Sequence, residues 1–191
     1  ETTLDYCIIA QAEVGKGRIQ QKAGNLERAS QAWKSVENNC SMCSSKIRSK
    51  LVYYTVEGWI SQGEESLAMN LIDAETSRKP DAKWAPRLEL LRSRIYFLNG
   101  EWDKAREAST PNFNNGEVDI NLLIVWVQAG ILQGLGIDES GTEHLEKMRK
   151  GVNIEKIDAA YANLHTLLVT EKRYGEALEW SKSMLLHSDP V

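Results

Sequence analysis

The stretch GNLERA at residues 24–29 has the form of a glycine, four residues and an alanine, and it recurs as GEESLA at 63–68 and GEWDKA at 100–105. The three glycines lie 39 and 37 residues apart. Degenerate copies follow at two further steps of 36, at 136–141 without the alanine and at 172–177 without the glycine. A period of this length is typical of repeat architectures, so we expect about five units to fill the chain.

Each copy of this six-residue pattern is typical of a turn between two helices. A glycine ends a helix well because it can adopt the left-handed backbone conformation that satisfies the last carbonyl groups. Acidic residues just after it suit the positive end of the next helix. The alanine five positions later is small enough to let two helix backbones approach closely. We therefore predict that each unit is a pair of helices.

The flanking residues agree with this interpretation. Apolar residues at spacings of three and four run before each turn, and shorter stripes follow it. The stripes before the turns include Leu51 and Tyr54, then Leu88, Leu91 and Ile95, then Leu168 and Val169, and those after the turns include Ala29, Ala32, Trp33 and Val36, then Ala177 and Leu178. The six tryptophans fall on such stripes or at the turns, where we expect them to pack in the core. No segment alternates apolar and polar residues over six or more positions, so no strand is predicted. The second helix of the third unit is expected to end near Pro111, before an exposed loop at 110–117.

The repeat resembles the tetratricopeptide repeat (TPR) family. That family ends the first helix of each unit of about 34 residues with a glycine, often places an aromatic residue two positions later and requires a small residue five positions later. Gly100, Trp102 and Ala105 match all three positions. The resemblance implies an all-α, right-handed α-solenoid of about five helix-turn-helix units, with 1–191 as a single TPR-like repeat domain of a longer protein. Because the period here is longer, another solenoid of helical pairs is the alternative.

The resemblance also implies a function, namely a non-catalytic scaffold that captures a peptide or helix segment of a partner in a concave groove. In the family the first helices line that groove. Arginines there would orient carboxylates and aromatic residues would supply apolar contact, so the implied partner is a protein or peptide with acidic residues. The predicted groove residues are Lys50, Tyr53, Arg87, Arg94, Phe97 and Trp126.

Two other interpretations stay open for these residues. The lysines and arginines could simply occupy solvated helix faces, with their stems covering apolar surface. The chain could also be a ligand-sensing or output module of a bacterial signalling protein or transcription regulator, a class in which similar irregular helical repeats occur. Fold alone does not choose between such functions.

Composition excludes some partners. Lys and Arg number 23 against 27 Asp and Glu, a net charge of -4, so the composition argues against nucleic acid as the partner of this domain. The uncharged run 120–137 approaches the length of a membrane span, yet Asn121, Gln128 and Gln133 interrupt it, and we predict a buried helix with no membrane contact. Apart from one pair of cysteines, no residue set has the spacing of a catalytic, cofactor or metal site, and no enzyme activity is predicted.

The three cysteines are Cys7, Cys40 and Cys43. An odd and uneven set favours a reducing compartment, so we expect the protein to be cytoplasmic. Cys40 and Cys43 have a spacing at which two thiolates could share a zinc ion or form a redox disulfide, which leaves a thiol or zinc enzyme as a further alternative. We expect both to be small apolar fillers at a helix junction.

Overall fold

The fold is all-α, as predicted. The computed structural model describes residues 3–110, 120–135 and 154–186, and within these ranges it contains nine helices and no strand. The helices are α1 (Thr3–Lys22), α2 (Leu26–Cys40), α3 (Ser45–Ile60), α4 (Glu65–Ser77), α5 (Ala85–Leu98), α6 (Trp102–Ala108), α7 (Ile120–Leu132), α8 (Ile154–Thr170) and α9 (Tyr174–Leu186).

The chain divides into two compact units, Glu1–Ile95 and Tyr96–Val191, with the boundary inside α5. The first unit holds α1 to α4 and most of α5, and the second holds the remaining helices. The arrangement of all repeats as one solenoid domain stays a prediction.

Five helices end in the same backbone arrangement. Gly24, Gly63 and Gly100 have the predicted left-handed conformation, with φ of 76°, 74° and 73°. Each of their N–H groups donates to the carbonyl three residues back, and the next N–H donates to the carbonyl five residues back, over 2.9–3.1 Å. Gly134 after α7 and Lys172 after α8 make the same pair of bonds, also with positive φ. This arrangement, the Schellman motif, satisfies the last carbonyls of each helix.

The predicted position of the fourth turn is wrong by two residues. We expected Gly136 to end the helix, but α7 ends at Leu132 and Gly134 takes the left-handed conformation. The reason is that both glycines could form the turn, and the helix stops where its last core residue, Ile131, is buried. Gly136 itself and the rest of that repeat lie outside the described residues. The loop predicted at 110–117 lies outside them too, apart from Thr110.

In the first unit α1 packs against α2 and α3, and α3 packs against α4. The alanines that follow the turns by five positions, Ala29 and Ala68, are fully buried, which is why a methyl side chain is needed there. The stripe predicted on α5 is also confirmed, because Leu88, Leu91 and Ile95 all lie in the core of this unit.

A buried ion pair joins α3 to α4. The carboxylate of Glu75, only 2% exposed, accepts hydrogen bonds from Arg48 Nε at 2.7 Å and from the hydroxyl of Ser49 at 2.6 Å. The Ser49 hydroxyl in turn accepts the backbone N–H of Asp81 at 3.0 Å. A buried carboxylate is stable only when it is paired and hydrogen-bonded, so these contacts allow α4 and the chain that follows it to pack against α3.

In the second unit α6 packs against α7, α7 against α8, and α8 against α9. As predicted, α6 is short, with seven residues, and α7 is largely buried. Two residues assigned to apolar stripes, Val169 and Leu178, are instead exposed. Each follows a buried residue, Leu168 or Ala177, by one position. Consecutive side chains on a helix point about 100° apart, so the side chains of Val169 and Leu178 point away from the core.

The tryptophans confirm the prediction that they serve the core. Five of the six are at most 8% exposed, at positions 33, 59, 84, 126 and 180, and Trp102 is half-buried. Among the described helices, none is both long enough and apolar enough to cross a membrane.

Candidate functional site

Four of the six predicted groove residues lie in the first unit. Lys50 and Tyr53 are on α3, and Arg87 and Arg94 are on α5. The three cationic side chains are exposed, and Tyr53 is half-buried. Lys50 and Tyr53 are three residues apart and so share one face of α3.

Tyr53 belongs to an aromatic cluster that we define as Tyr53, Tyr54 and Trp84. The ring centroids of Tyr53 and Trp84 are 5.3 Å apart, as are those of Tyr53 and Tyr54 in an edge-to-face contact. Tyr54 and Trp84 complete the triangle at 6.1 Å. Aromatic rings in such contacts hold each other in place, so the cluster forms a rigid apolar platform between α3 and the start of α5.

Two guanidinium groups lie on the faces of this aromatic cluster. The Arg87 guanidinium carbon is 4.7 Å from the Trp84 ring centroid, and that of Arg18, from α1, is 5.1 Å from the Tyr54 centroid. Both distances are within the range of cation–π attraction. A guanidinium stacked in this way keeps the N–H groups at its edge available for a carboxylate.

The Tyr53 hydroxyl is held as a neutral hydrogen-bond donor. It donates to Glu57 Oε1 at 2.7 Å. Burial, together with this hydrogen bond and the charge of Glu57, raises the pKa of Tyr53 to about 12. Tyr53 is therefore not poised to exchange a proton near neutral pH, and its contribution is shape, apolar surface and one hydrogen bond.

The other two predicted groove residues, Phe97 and Trp126, belong to the second unit. Phe97 makes an edge-to-face contact with Trp102 at 5.1 Å. Trp126 lies in the core of that unit, 8% exposed, with the Arg106 guanidinium 4.5 Å from its ring centroid. Their place in a groove stays a prediction.

The cysteines are paired differently from the two alternatives considered for them. Cys43 forms a disulfide with Cys7, while Cys40 is free and buried. The alternatives in which Cys40 and Cys43 share a zinc ion or form a disulfide with each other are therefore wrong, because the sulfur of Cys43 is bonded to that of Cys7 on α1. The expectation that both residues are buried at a helix junction is confirmed, but of the two only Cys40 is an apolar filler, because Cys43 is part of a disulfide.

Burial, and to a smaller extent the charge of Glu75, raises the pKa of Cys40 to about 11. Such a thiol stays protonated and is a poor nucleophile and metal ligand. The described residues also contain no group of three His, Cys, Asp or Glu side chains that could hold a metal ion. The cysteine content was our reason to expect a reducing compartment. Because disulfides persist in oxidising compartments, the presence of this disulfide removes that reason. A cytoplasmic location stays a prediction.

Sequence reasoning missed the two aromatic partners of Tyr53. Tyr54 was assigned only to the buried stripe of α3, and Trp84 only to the core. Trp84 lies immediately before α5, so no helical periodicity connects it to α3. The one available signal was the pair of adjacent tyrosines at 53 and 54, both of which are half-buried against the core of the first unit.

A scan of the sequence against protein-family models finds no match. A search of curated proteins finds no significant match either.

Proposed function

We propose that this protein is a non-catalytic interaction domain that captures an acidic peptide or helix segment of a partner protein. The observation that carries this proposal is the aromatic cluster of Tyr53, Tyr54 and Trp84 with Arg18 and Arg87 on its faces. This combination supplies an apolar platform for a hydrophobic side chain and two cations for neighbouring carboxylates.

The absence or presence of an ion pair at each arginine supports this role. Arg48, Arg92 and Arg173 are each held in an ion pair with a carboxylate of the chain. Within the described residues, Arg18 and Arg87 make no such pair, although both are fixed by a ring contact. An arginine that is positioned but not neutralised is suited to recognise a carboxylate from outside, because its orientation is already restricted before the partner arrives.

The repeated turns support a TPR-like solenoid as the architecture of the proposed scaffold. The left-handed residues at 24, 63, 100, 134 and 172 are separated by 39, 37, 34 and 38 residues. Helical pairs that repeat at such intervals bury their apolar faces by stacking on their neighbours, and the stacks present extended surfaces for peptide segments. In this proposal Lys50 and Arg94, which belong to the same unit, extend the surface around the aromatic cluster.

Selection of random displayed peptides on the whole chain tests the proposal. We expect enrichment of sequences with Asp or Glu beside an aromatic or aliphatic anchor. An enriched peptide should bind at least about tenfold more weakly to the double variant Arg18→Glu, Arg87→Glu, since each change turns an attraction into a repulsion.

The matched control is the double variant Arg28→Glu, Lys46→Glu. Both of these side chains are exposed and lie outside the aromatic cluster, and the total change in charge is the same. The control should bind within about twofold of the unaltered chain. Absence of any enriched acidic motif, or an equal loss of binding in the two double variants, would contradict the proposal.

A further inference from the structure

Helix α1 carries apolar residues on two opposite faces. Its inner face, which includes Ala10 and Val14, is buried where α1 packs against α2 and α3. Consecutive residues of a helix are about 100° apart, which places a second set of residues almost directly opposite the inner face. We call this set the outer stripe of α1, and its members are Ile8, Ala12, Gly15 and Ile19. All four are uncharged and exposed, the two isoleucines by 56% and 67%.

A helix at the surface of a globular protein normally has a single apolar stripe, with polar residues on the opposite face. Apolar area left in water is unfavourable, and two large exposed side chains on one line of the same helix are more than scattered single residues. The outer stripe of α1 therefore has the composition of a contact surface.

The spacing of the outer stripe suits a second copy of the same helix. Its residues follow one another at steps of four, three and four, so the pattern is the same in both chain directions. Two copies of α1 lying antiparallel about a twofold axis would bring Ile8 of each copy against Ile19 of the other, with Ala12 opposite Gly15. The small central residues would let the two backbones approach closely, and a twofold interface requires such a self-complementary patch.

The charges at the two ends of the outer stripe are complementary. Asp5 precedes Ile8 by three residues and Lys22 follows Ile19 by three, and both charged side chains are exposed. They are 17 residues apart on one helix, or about 25 Å, which is too far for them to pair within one chain. Antiparallel copies would place Asp5 opposite Lys22 at both ends, whereas parallel copies would place like charges together.

We propose that a second copy of this chain packs against the outer stripe of α1, as an antiparallel and twofold-symmetric helix pair. The outer stripe contains no residue of the aromatic cluster, and the inference does not rest on the proposed capture of a partner segment. One helix pair buries less surface than the about 1,600 Å² of a standard stable interface. The dimer is therefore weak, with a dissociation constant on the order of 100 μM.

Sedimentation of the whole chain between about 10 μM and 1 mM tests this inference. The average mass should rise with concentration toward that of a dimer. Ile19→Glu should weaken dimerisation at least about tenfold, because it removes apolar contact and places a charge in the interface. Leu178→Glu is the matched control, since Leu178 on α9 is 57% exposed and lies outside the outer stripe. It should leave dimerisation unchanged.

Charge reversal tests the antiparallel arrangement. At low salt Asp5→Lys and Lys22→Asp should each weaken dimerisation at least about threefold, because each variant places like charges at both ends of the helix pair. An equimolar mixture of the two variants should associate as well as the unaltered chain, since both end pairs are then of opposite charge. The control mixture is Glu27→Lys with Lys46→Asp, two exposed positions outside the outer stripe. These variants should dimerise normally, alone and when mixed.

Three results would overturn the inference. A chain that stays monomeric at about 1 mM would leave the outer stripe to a partner of different sequence. A dimer that Ile19→Glu does not weaken would use another surface. A mixture of Asp5→Lys and Lys22→Asp that associates no better than either variant alone would reject the antiparallel pairing of α1.

Discussion

The indole of Trp33 lies directly against the backbone of Gly58. A Cβ at position 58 would be 2.4 Å from ring atom Cε2, and one at Gly17 of α1 would be 2.7 Å from Cη2. Carbon atoms in good contact are about 3.5–4.0 Å apart, so neither position accepts a side chain while Trp33 keeps its place. Two glycines inside helices, each unfavourable for the helix alone, are thus explained by one buried ring.

Gly58→Ala should therefore destabilise the protein. Overpacking of a core costs about 1–3 kcal/mol, which exceeds the gain of about 1 kcal/mol in helix propensity. Gly15→Ala is the control, because Gly15 is exposed within α1 and nothing lies within 4 Å of the added Cβ. It should raise stability by about 0.5–1 kcal/mol. Urea unfolding measures both, and equal effects of the two substitutions would contradict the packing described for Trp33.

The disulfide between Cys7 and Cys43 should stabilise the first unit. It joins residues 36 apart in sequence, and closing a loop of that length is worth about 3–4 kcal/mol through the entropy of the unfolded chain. We expect the double variant Cys7→Ala, Cys43→Ala to lose stability of this order in urea unfolding. A reducing agent should lower the midpoint of the unaltered chain but leave that of the variant unchanged. An identical response of the two proteins to reductant would argue against the bond.

Cys40 should be the one thiol of the oxidised chain, and it should react slowly. Its sulfur is buried and its pKa is raised to about 11, so very little thiolate exists at neutral pH. A thiol reagent such as Ellman's should label the native protein slowly, and it should label one equivalent rapidly after unfolding in urea without reductant. Rapid labelling of the native state, or three equivalents after unfolding, would contradict this assignment.

Removing one partner of the buried ion pair should be costly. In Arg48→Met the Glu75 carboxylate, whose side chain is 1% exposed, loses its cation and keeps only the hydroxyl of Ser49. A buried charge left without its partner costs about 3–5 kcal/mol. The double variant Arg48→Met, Glu75→Leu should recover much of that loss in urea unfolding. If the double variant lost the sum of the two single effects, the residues would not be coupled.

Glu37 should make stability depend on pH. Partial burial raises its pKa, an effect that the hydrogen bond from the Trp59 indole, at 2.6 Å, only partly offsets. A carboxyl with a raised pKa in the folded state stabilises that state when it is protonated, below its unfolded pKa. This contribution is lost as the pH rises through the folded pKa.

Glu37→Gln mimics the protonated carboxyl, so the variant should be the more stable protein at neutral pH. The difference should shrink as the pH falls below the ordinary glutamate range. Thermal unfolding over a pH series measures it, with the exposed Glu27→Gln as the control that should show little difference. A gap that widens on acidification would reverse the sign assigned to Glu37.

The sequence predicted well those features that depend on short stretches of chain. The turns at Gly24, Gly63 and Gly100 were correct because a Schellman motif is completed within six consecutive residues. The buried stripes of α2 and α5 were correct for a similar reason, since the helical period alone shows which residues share a face. At the fourth turn the prediction failed because the sequence offers two glycines, Gly134 and Gly136, and local sequence alone does not show which of them ends the helix.

The candidate site was only partly predictable. Helical register placed Lys50 and Tyr53 together, but their partners come from other helices. Arg18 reaches the cluster from α1 and Trp84 from the start of α5, and no periodicity relates these elements to α3. The sequence likewise gave no sign that the Trp33 indole N–H lacks an acceptor among the described residues, because the pairing of that atom depends on all of its neighbours in the fold.

The order of helices and turns thus follows from local sequence, since backbone conformation and capping are decided over one or two turns of chain. The pairings of Cys7 with Cys43, of Trp33 with Gly58 and of Arg48 with Glu75 were settled only in the tertiary structure. The physical reason is that these contacts depend on the packing of whole helices, whose relative rotation and height are selected by the shape of the entire core.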